Sequence, residues 1–275
     1  MSEKDSLAPR PATGQPVLSA THVTKQFRVA GGHITAVDDV TVDFHAGKVL
    51  AVVGESGSGK STLARMLLRL MPVTSGTITY NGNDVTHIKG AELRAYWRDV
   101  QAVFQDPFSS FNQFYSVGQT LRRGMGSQGL EKETLDQLIE TCLGYVGLKP
   151  ADAVHKYPHQ LSGGQRQRVM IARALMMNPK VLLADEATSM LDASLRVSAL
   201  NVQDLRANLG LTVLFITHDI GQACYLADEV VVMEHGLVVE HGTTDAVIFE
   251  PKNDYTKRLL ADVPDLKSSL KVHNR

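Results

Sequence analysis

Only two cysteines occur in the 275 residues, Cys142 and Cys224, far apart and in no C-x-x-C spacing. That scarcity excludes a disulfide framework, a zinc ribbon and an iron-sulfur cluster, and it fits a reducing cytoplasm. Charge of one sign is lacking as well, because 28 basic residues stand against 29 acidic ones for a net of −1. No overall positive field exists to hold a nucleic-acid backbone, so partners must be chosen by local patches. No apolar run approaches the roughly 20 residues that cross a bilayer. The longest, such as Val49 to Val53, have strand length, and any membrane role is expected to be peripheral. Residues 1–16 are polar, carry Pro9, Pro11 and Pro16, and lack the apolar centre of a secretory signal. They read as a flexible leader.

What is present suits a large buried core: 43% of the residues are hydrophobic, and the length allows one α/β domain or a core with an inserted subdomain. Short strand-like pieces at Val17–Ala20 and Ala36–Phe44, broken by Gly31-Gly32, predict an antiparallel β layer. Val49–Val53 is apolar throughout, as in a strand buried on both faces of a parallel sheet. Leu63, Met66, Leu67 and Leu70 then recur at helical spacing, with Pro72 just beyond. Thr77–Tyr80 followed by Asn81-Gly82 predicts a hairpin with a type I′ turn.

Between Asp106 and Asn178 helical spacing takes over, for instance at Leu135, Leu138, Ile139 and Cys142, which predicts a helical insertion. Val181–Ala184 returns to the sheet, and a helix follows whose Leu195, Val202, Leu205 and Leu209 share a face, with Gly210 as its cap. Thr212–Thr217 is another buried strand. Val230–Met233 and Leu237–Val239, joined at His235-Gly236, predict a closing hairpin, and Asp254–Leu260 a terminal helix.

The loop Gly54-Glu55-Ser56-Gly57-Ser58-Gly59-Lys60-Ser61 matches G-x-x-x-x-G-K-[ST] at every fixed position, between a predicted strand and a predicted helix. Glycines let backbone N–H groups turn inward around phosphate oxygens, and the helix start adds the positive end of its dipole. Lys60 would reach the β- and γ-phosphates of ATP and the Ser61 hydroxyl would bind Mg²⁺, with Thr62 completing the phosphate-side set. Asp185 ends a strand at the carboxyl edge, where α/β folds bind ligands, and is the expected Mg²⁺ partner. Glu186 is placed to polarise the attacking water. Alone, the Asp-Glu pair would read as a solvated turn; beside the glycine loop it reads as catalytic.

His218 follows the next buried strand and could donate to a γ-phosphate oxygen, although a lone histidine at a strand end is usually structural or merely exposed. The amide of Gln105, after the strand-like Ala102-Val103-Phe104, could touch both metal and water. Leu161-Ser162-Gly163-Gly164-Gln165 opens a further helix with Ser162 as N-cap. It is either a flexible helix start or a second anion site. One chain has little use for two γ-phosphate cradles, so the second would serve ATP held by another subunit.

These residues resemble the nucleotide-binding subunits of ABC transporters from about Val17 to Glu250, most specifically in the run LSGGQRQR from Leu161 to Arg168. The resemblance implies a P-loop NTPase core of mostly parallel sheet with an antiparallel β layer and an inserted α-helical subdomain. Its parts would be core at 17–105 and 179–248, helical subdomain at 106–178, and an extension at 249–275. It further implies a head-to-tail dimer with a second, identical or homologous, ATP-binding subunit, two membrane permease subunits, and an extracytoplasmic solute-binding protein. Phe27 would stack on adenine, Gln105 would link the metal site to the permease contact, Ser189 to Asp192 would span the dimer seam, and Glu186 and His218 would support hydrolysis. Location at the cytoplasmic face of the membrane follows.

Finer features are similar to the dipeptide, oligopeptide and nickel importer branch, which also includes oligosaccharide importers: Val53 to Lys60, Val103-Phe104-Gln105-Asp106-Pro107, Tyr157-Pro158-His159-Gln160, and Tyr255 to Leu260. Departures are Ala187 for a usual proline, Met190 for a common alanine, Asn253-Asp254 for His-Pro, and Phe27 for tyrosine. A different class, a soluble ABC ATPase acting on nucleic acid or ribosomes, would call for fused nucleotide domains, coiled coils or zinc modules, which this sequence lacks. Phe104, Phe108, Phe111, Phe114 and Tyr115 either line a groove for a permease helix or form the core of the helical insertion.

Overall fold

The computed structural model describes residues 15–104, 111–185 and 209–263. Strand β1 (Pro16–Val29) pairs antiparallel with β2 (Gly32–His45) and with β4 (Ser75–Tyr80), and β4 turns into the short β5 (Asn83–Asp84). Asn81 and Gly82 both take positive φ, 49° and 77°, as the type I′ hairpin requires. The first two strands run well past the predicted pieces. The register slips between Ala20 and Val23, and His22 and Asp39, each at φ 51°, absorb the irregularity, so apolar alternation is lost where pairing continues.

The second sheet has six strands in the order β10-β9-β3-β8-β7-β6. Its parallel members are β3 (Val49–Val53), β6 (Val100–Val103), β7 (Val181–Asp185), β8 (Thr212–Thr217) and β9 (Glu229–Glu234); β10 (Leu237–Thr243) returns antiparallel at the edge through His235-Gly236. All five residues of β3 are buried, because one face meets the antiparallel layer and the other meets helices.

Helix α1 (Lys60–Leu67) follows β3 and buries Leu63, Met66 and Leu67 against Leu18, Phe44 and Ile78 of the antiparallel sheet and Leu50 and Val52 of β3. Each such side chain contributes about 1.5–3 kcal/mol. The predicted apolar stripe ran on to Leu70, but the helix ends earlier. Arg69 takes φ 57°, Leu70 and Met71 both donate back to the Arg65 carbonyl, and Leu70 is left 54% exposed.

Helix α2 (Gly90–Asp99) leads into β6, and α3 (Val117–Gly124), α4 (Lys132–Tyr145), α5 (Pro150–Ala153) and α6 (Gly163–Leu175) lie between β6 and β7 in the chain. Ile139, Cys142 and Leu143 of α4 join Val117, Leu121, Val169 and Ala172 in a second core cluster. The opposite face of the sheet is covered by α7 (Ile220–Leu226), α8 (Thr244–Phe249) and α9 (Asp254–Ala261), which meet Ala51, Val53, Val230 and Val232. The helix expected around Leu195, Val202 and Leu205 lies outside the described residues; Gly210, its expected cap, is left-handed at φ 62°. Among the described residues no helix is long and apolar enough to cross a membrane.

Candidate nucleotide site

Register brings the chemistry to one edge. Val53 of β3 lies opposite Thr217 of β8, Asp185 of β7 opposite Ile216, and Ala184 opposite Val103 of β6. Gly54, His218, Asp185 and Phe104 therefore stand at the ends of β3, β8, β7 and β6, four successive strands of the sheet, at the same carboxyl edge, where open α/β sheets take ligands. Gln105, Glu186 and Asp192 lie outside the described residues.

The loop between β3 and α1 has its base clamped from behind. A Cβ at Gly54 (φ 153°) would stand 2.2 Å from the Met233 carbonyl oxygen, and one at Gly59 (φ 105°) 2.4 Å from that of Ala36. Glycine is required at both by close backbone approach and by positive φ. The Gly236 N–H donates to the Ser58 carbonyl at 3.0 Å, tying the loop to the β9–β10 turn. Gly59, as N-cap, brings no side chain to the start of α1, and the positive end of the helix dipole faces this loop.

Lys60 is 5% exposed, and its ammonium folds over the loop, donating to the Gly54 and Glu55 carbonyls at 2.7 Å each and to Ser58 Oγ at 3.3 Å. A buried ammonium must be hydrogen-bonded, and here the loop's own oxygens satisfy it. Phosphate oxygens could take over that role.

Ser61 Oγ donates to Asp185 Oδ1 at 3.4 Å, and Asp185 is buried. One hydroxyl and one carboxylate converging at the mouth of a phosphate loop form a donor set that fits Mg²⁺, which binds few protein oxygens and completes its shell with phosphate and water. No cluster of three or more His, Cys, Asp or Glu ligands exists among the described residues. At Gly57 nothing lies within 4 Å of where a Cβ would point, so this part of the loop is open to the outside.

His218 is exposed just beyond buried Thr217, and the next residue, Asp219, caps α7 by accepting from the Gln222 N–H at 3.1 Å. Phe27 on β1 is 37% exposed, with the Lys25 ammonium 5.4 Å from its ring centroid. At α6, Ser162 is the N-cap as expected. The sequence reading missed the reciprocal bond: Gln165 N–H donates to Ser162 Oγ at 3.2 Å while Ser162 N–H donates to Gln165 Oε1 at 3.0 Å. The S-x-x-Q spacing of a capping box carried that signal. Around Gly163 the space is open.

The aromatic group divides. Phe111 is core, Phe114 is 86% exposed, and Tyr115 lies under the Arg123 guanidinium, 4.1 Å from the ring centroid. Phe108 lies outside the described residues. Phe104 borders an apolar cleft of about 230 Å³ with Leu68, Leu70 and Trp97.

Glycine loop, buried carboxylate and parallel sheet together define a P-loop nucleoside triphosphatase. Residues 37–189 match the ABC transporter family. Relatives include a protein of Brucella ovis named as a peptide import ATP-binding protein, 38% identical over 92% of this chain and 80% of its own length. The glutathione import ATP-binding protein GsiA of Salmonella paratyphi A is 39% identical over 91% of this chain and 42% of its own length. Among solved structures, a bacterial ABC transporter cassette in dimeric form superposes with TM-score 0.74 at 27% identity, covering 82% of this chain and 98% of its own. A structure of cbiO1 from Clostridium perfringens, part of the ABC transporter complex cbiONQ, gives 0.76 at 25% identity over 94% and 99%. The chain belongs to the ABC transporter family, as an ATP-binding and ATP-hydrolysing subunit.

Proposed function

We propose that this chain powers a membrane importer of peptides or related small solutes, working as one half of a head-to-tail ATPase dimer beneath two permease subunits. The observation that carries the dimer reading is the presence of two glycine-rich helix starts on one chain, only one of which gathers phosphate-site chemistry. The α1 loop holds Lys60, Ser61 and Asp185 together; the α6 start, with Ser162 and open space at Gly163, gathers no such lysine or carboxylate among the described residues. The second start is suited to the triphosphate of a companion, and Asp192 belongs to the seam between them. The peptide reading rests on the relatives named for peptide and glutathione import.

Each group has a chemical task. Lys60 exchanges the Gly54 and Glu55 carbonyls for β- and γ-phosphate oxygens, while the N–H groups of residues 57–62 hold the phosphate chain. Glu55 and Ser56 shape the turn, and Phe27 stacks on adenine. Ser61, Asp185 and Gln105 would hold Mg²⁺, which would neutralise charge on the transferring phosphoryl group. Glu186 orients the water and accepts its proton as the new P–O bond forms and the bond to ADP breaks. His218 donates to a γ-phosphate oxygen. The apolar cleft beside Phe104 takes a cytoplasmic helix of the permease, and Gln105 links the metal site to that contact.

The experiment is the Glu186→Gln variant in Mg-ATP, followed by light scattering and phosphate release. ATP binding and a long-lived dimer are expected, with turnover down at least ~100-fold. Normal hydrolysis in that variant would reject the role of Glu186. Tagged chain should also retain membrane proteins; recovery of nucleic acid or ribosomes instead would overturn the importer reading.

A further inference from the structure

We infer that Tyr255, at the start of α9, is a positioning residue for the phosphate-binding loop, acting through the Gly54–Glu55 peptide group; the inference rests on the nucleotide reading of that loop. The Tyr255 hydroxyl accepts a hydrogen bond from the Glu55 N–H at 2.8 Å, across 200 residues of chain. The carbonyl of that same peptide group, on Gly54, accepts from Lys60 Nζ at 2.7 Å. No described peptide bond is cis, so the carbonyl and N–H of this rigid plane point to opposite sides. One plane is thus held at both ends, by Lys60 on the carbonyl and by Tyr255 on the amide. Rotation that moved the resting place of Lys60 would break both bonds.

The anchor itself is firm. Tyr255 is 5% exposed, and its ring packs with Val53, Val232 and Ile248. Its own N–H donates to the Asn253 side chain at 2.8 Å, and the Glu240 carboxylate accepts from the N–H groups of Lys252 at 2.8 Å and Asn253 at 3.1 Å. Burial raises the pKa of the Tyr255 hydroxyl, which stays protonated at neutral pH and presents a lone pair to Glu55. The segment after β10 therefore reaches into the nucleotide site, although it supplies no group to the phosphates.

Tyr255→Phe removes the acceptor and keeps the ring. In the full chain, calorimetric titration with Mg-ADP is expected to show a Kd raised about 3- to 10-fold, the span of one lost hydrogen bond. KM for ATP should rise by the same factor with kcat at saturation within about twofold, the mark of lost uniform binding. Arg258→Ala, which removes the cation 5.8 Å from the Tyr255 ring centroid and leaves the hydroxyl, should keep the wild-type Kd. An unchanged Kd in Tyr255→Phe beside a weakened Lys60→Ala overturns the positioning role and leaves the nucleotide reading standing. If Arg258→Ala weakens binding as much as Tyr255→Phe, helix docking and not the hydroxyl is responsible, and the inference fails. Unchanged affinity in both Lys60→Ala and Tyr255→Phe removes the nucleotide reading itself.

Discussion

Replacing Lys60 by alanine separates what the lysine does for the loop from what it does for the nucleotide. In the free protein its ammonium satisfies the Gly54 and Glu55 carbonyls and Ser58 Oγ. Glu55 is exposed at the surface of the loop, and water is expected to enter there and replace the ammonium. The stability cost is expected to stay near that of one ordinary hydrogen bond, about 0.5–1.5 kcal/mol. On the proposed reading the ammonium moves to phosphate in the complex, where charge-assisted bonds would be worth about 1.5–3 kcal/mol, or roughly 10- to 150-fold in affinity. Because Lys60 must first give up three partners in the loop, the lower part of that range is expected, about 10- to 30-fold. Titration with Mg-ATP under non-hydrolysing conditions, alongside thermal unfolding without nucleotide, reads both quantities. A Kd within twofold of wild type, or a large stability loss with unchanged Kd, would refute the argument and make Lys60 a structural residue.

Two further outcomes follow from the same geometry. Gly59→Ala should disrupt the loop more than Gly57→Ala, as measured by unfolding and by ADP affinity. Both sit at positive φ, a strain of about 1–2 kcal/mol for alanine, but at Gly59 the new Cβ also meets a backbone oxygen at 2.4 Å whereas at Gly57 it meets open space. Acid should loosen the start of α9. Burial alone would raise the Glu240 pKa, but the Thr256 side chain beside it and the bonds from the Lys252 and Asn253 N–H groups bring it below its ordinary 4.5. A lowered folded pKa adds stability that is present above 4.5 and lost as pH falls through the folded value. Hydrogen exchange at residues 252–256 should therefore quicken below pH 4.5 in wild type, and already at neutral pH in Glu240→Gln.

The parts that could be read in advance are those whose neighbours in space are also neighbours in the chain. Val49 to Leu67 is one strand, one loop and one helix, and each is announced by its own residues. Asn81-Gly82 and His235-Gly236 name their turns because positive φ is a property of two residues. Leu70 misled for the complementary reason: its spacing is helical, but the chain turns at Arg69, whose left-handed backbone no spacing rule foretells. The aromatic group around Phe111 could not be divided, since whether a phenyl ring is core or surface depends on what is folded over it.

Sequence by itself determined the chemistry: a phosphate loop with its lysine and serine, a strand-end carboxylate and a capped glycine pair, each fixed by residue type and local spacing. The tertiary structure decided which of these meet. Ser61 and Asp185 are 124 positions apart and Glu55 and Tyr255 are 200, and neither pairing exists until β3, β8 and β7 lie side by side and α9 closes over the loop. Strand order is a property of the whole buried sheet, where burial is optimised jointly over many residues, and no short window of the chain carries it.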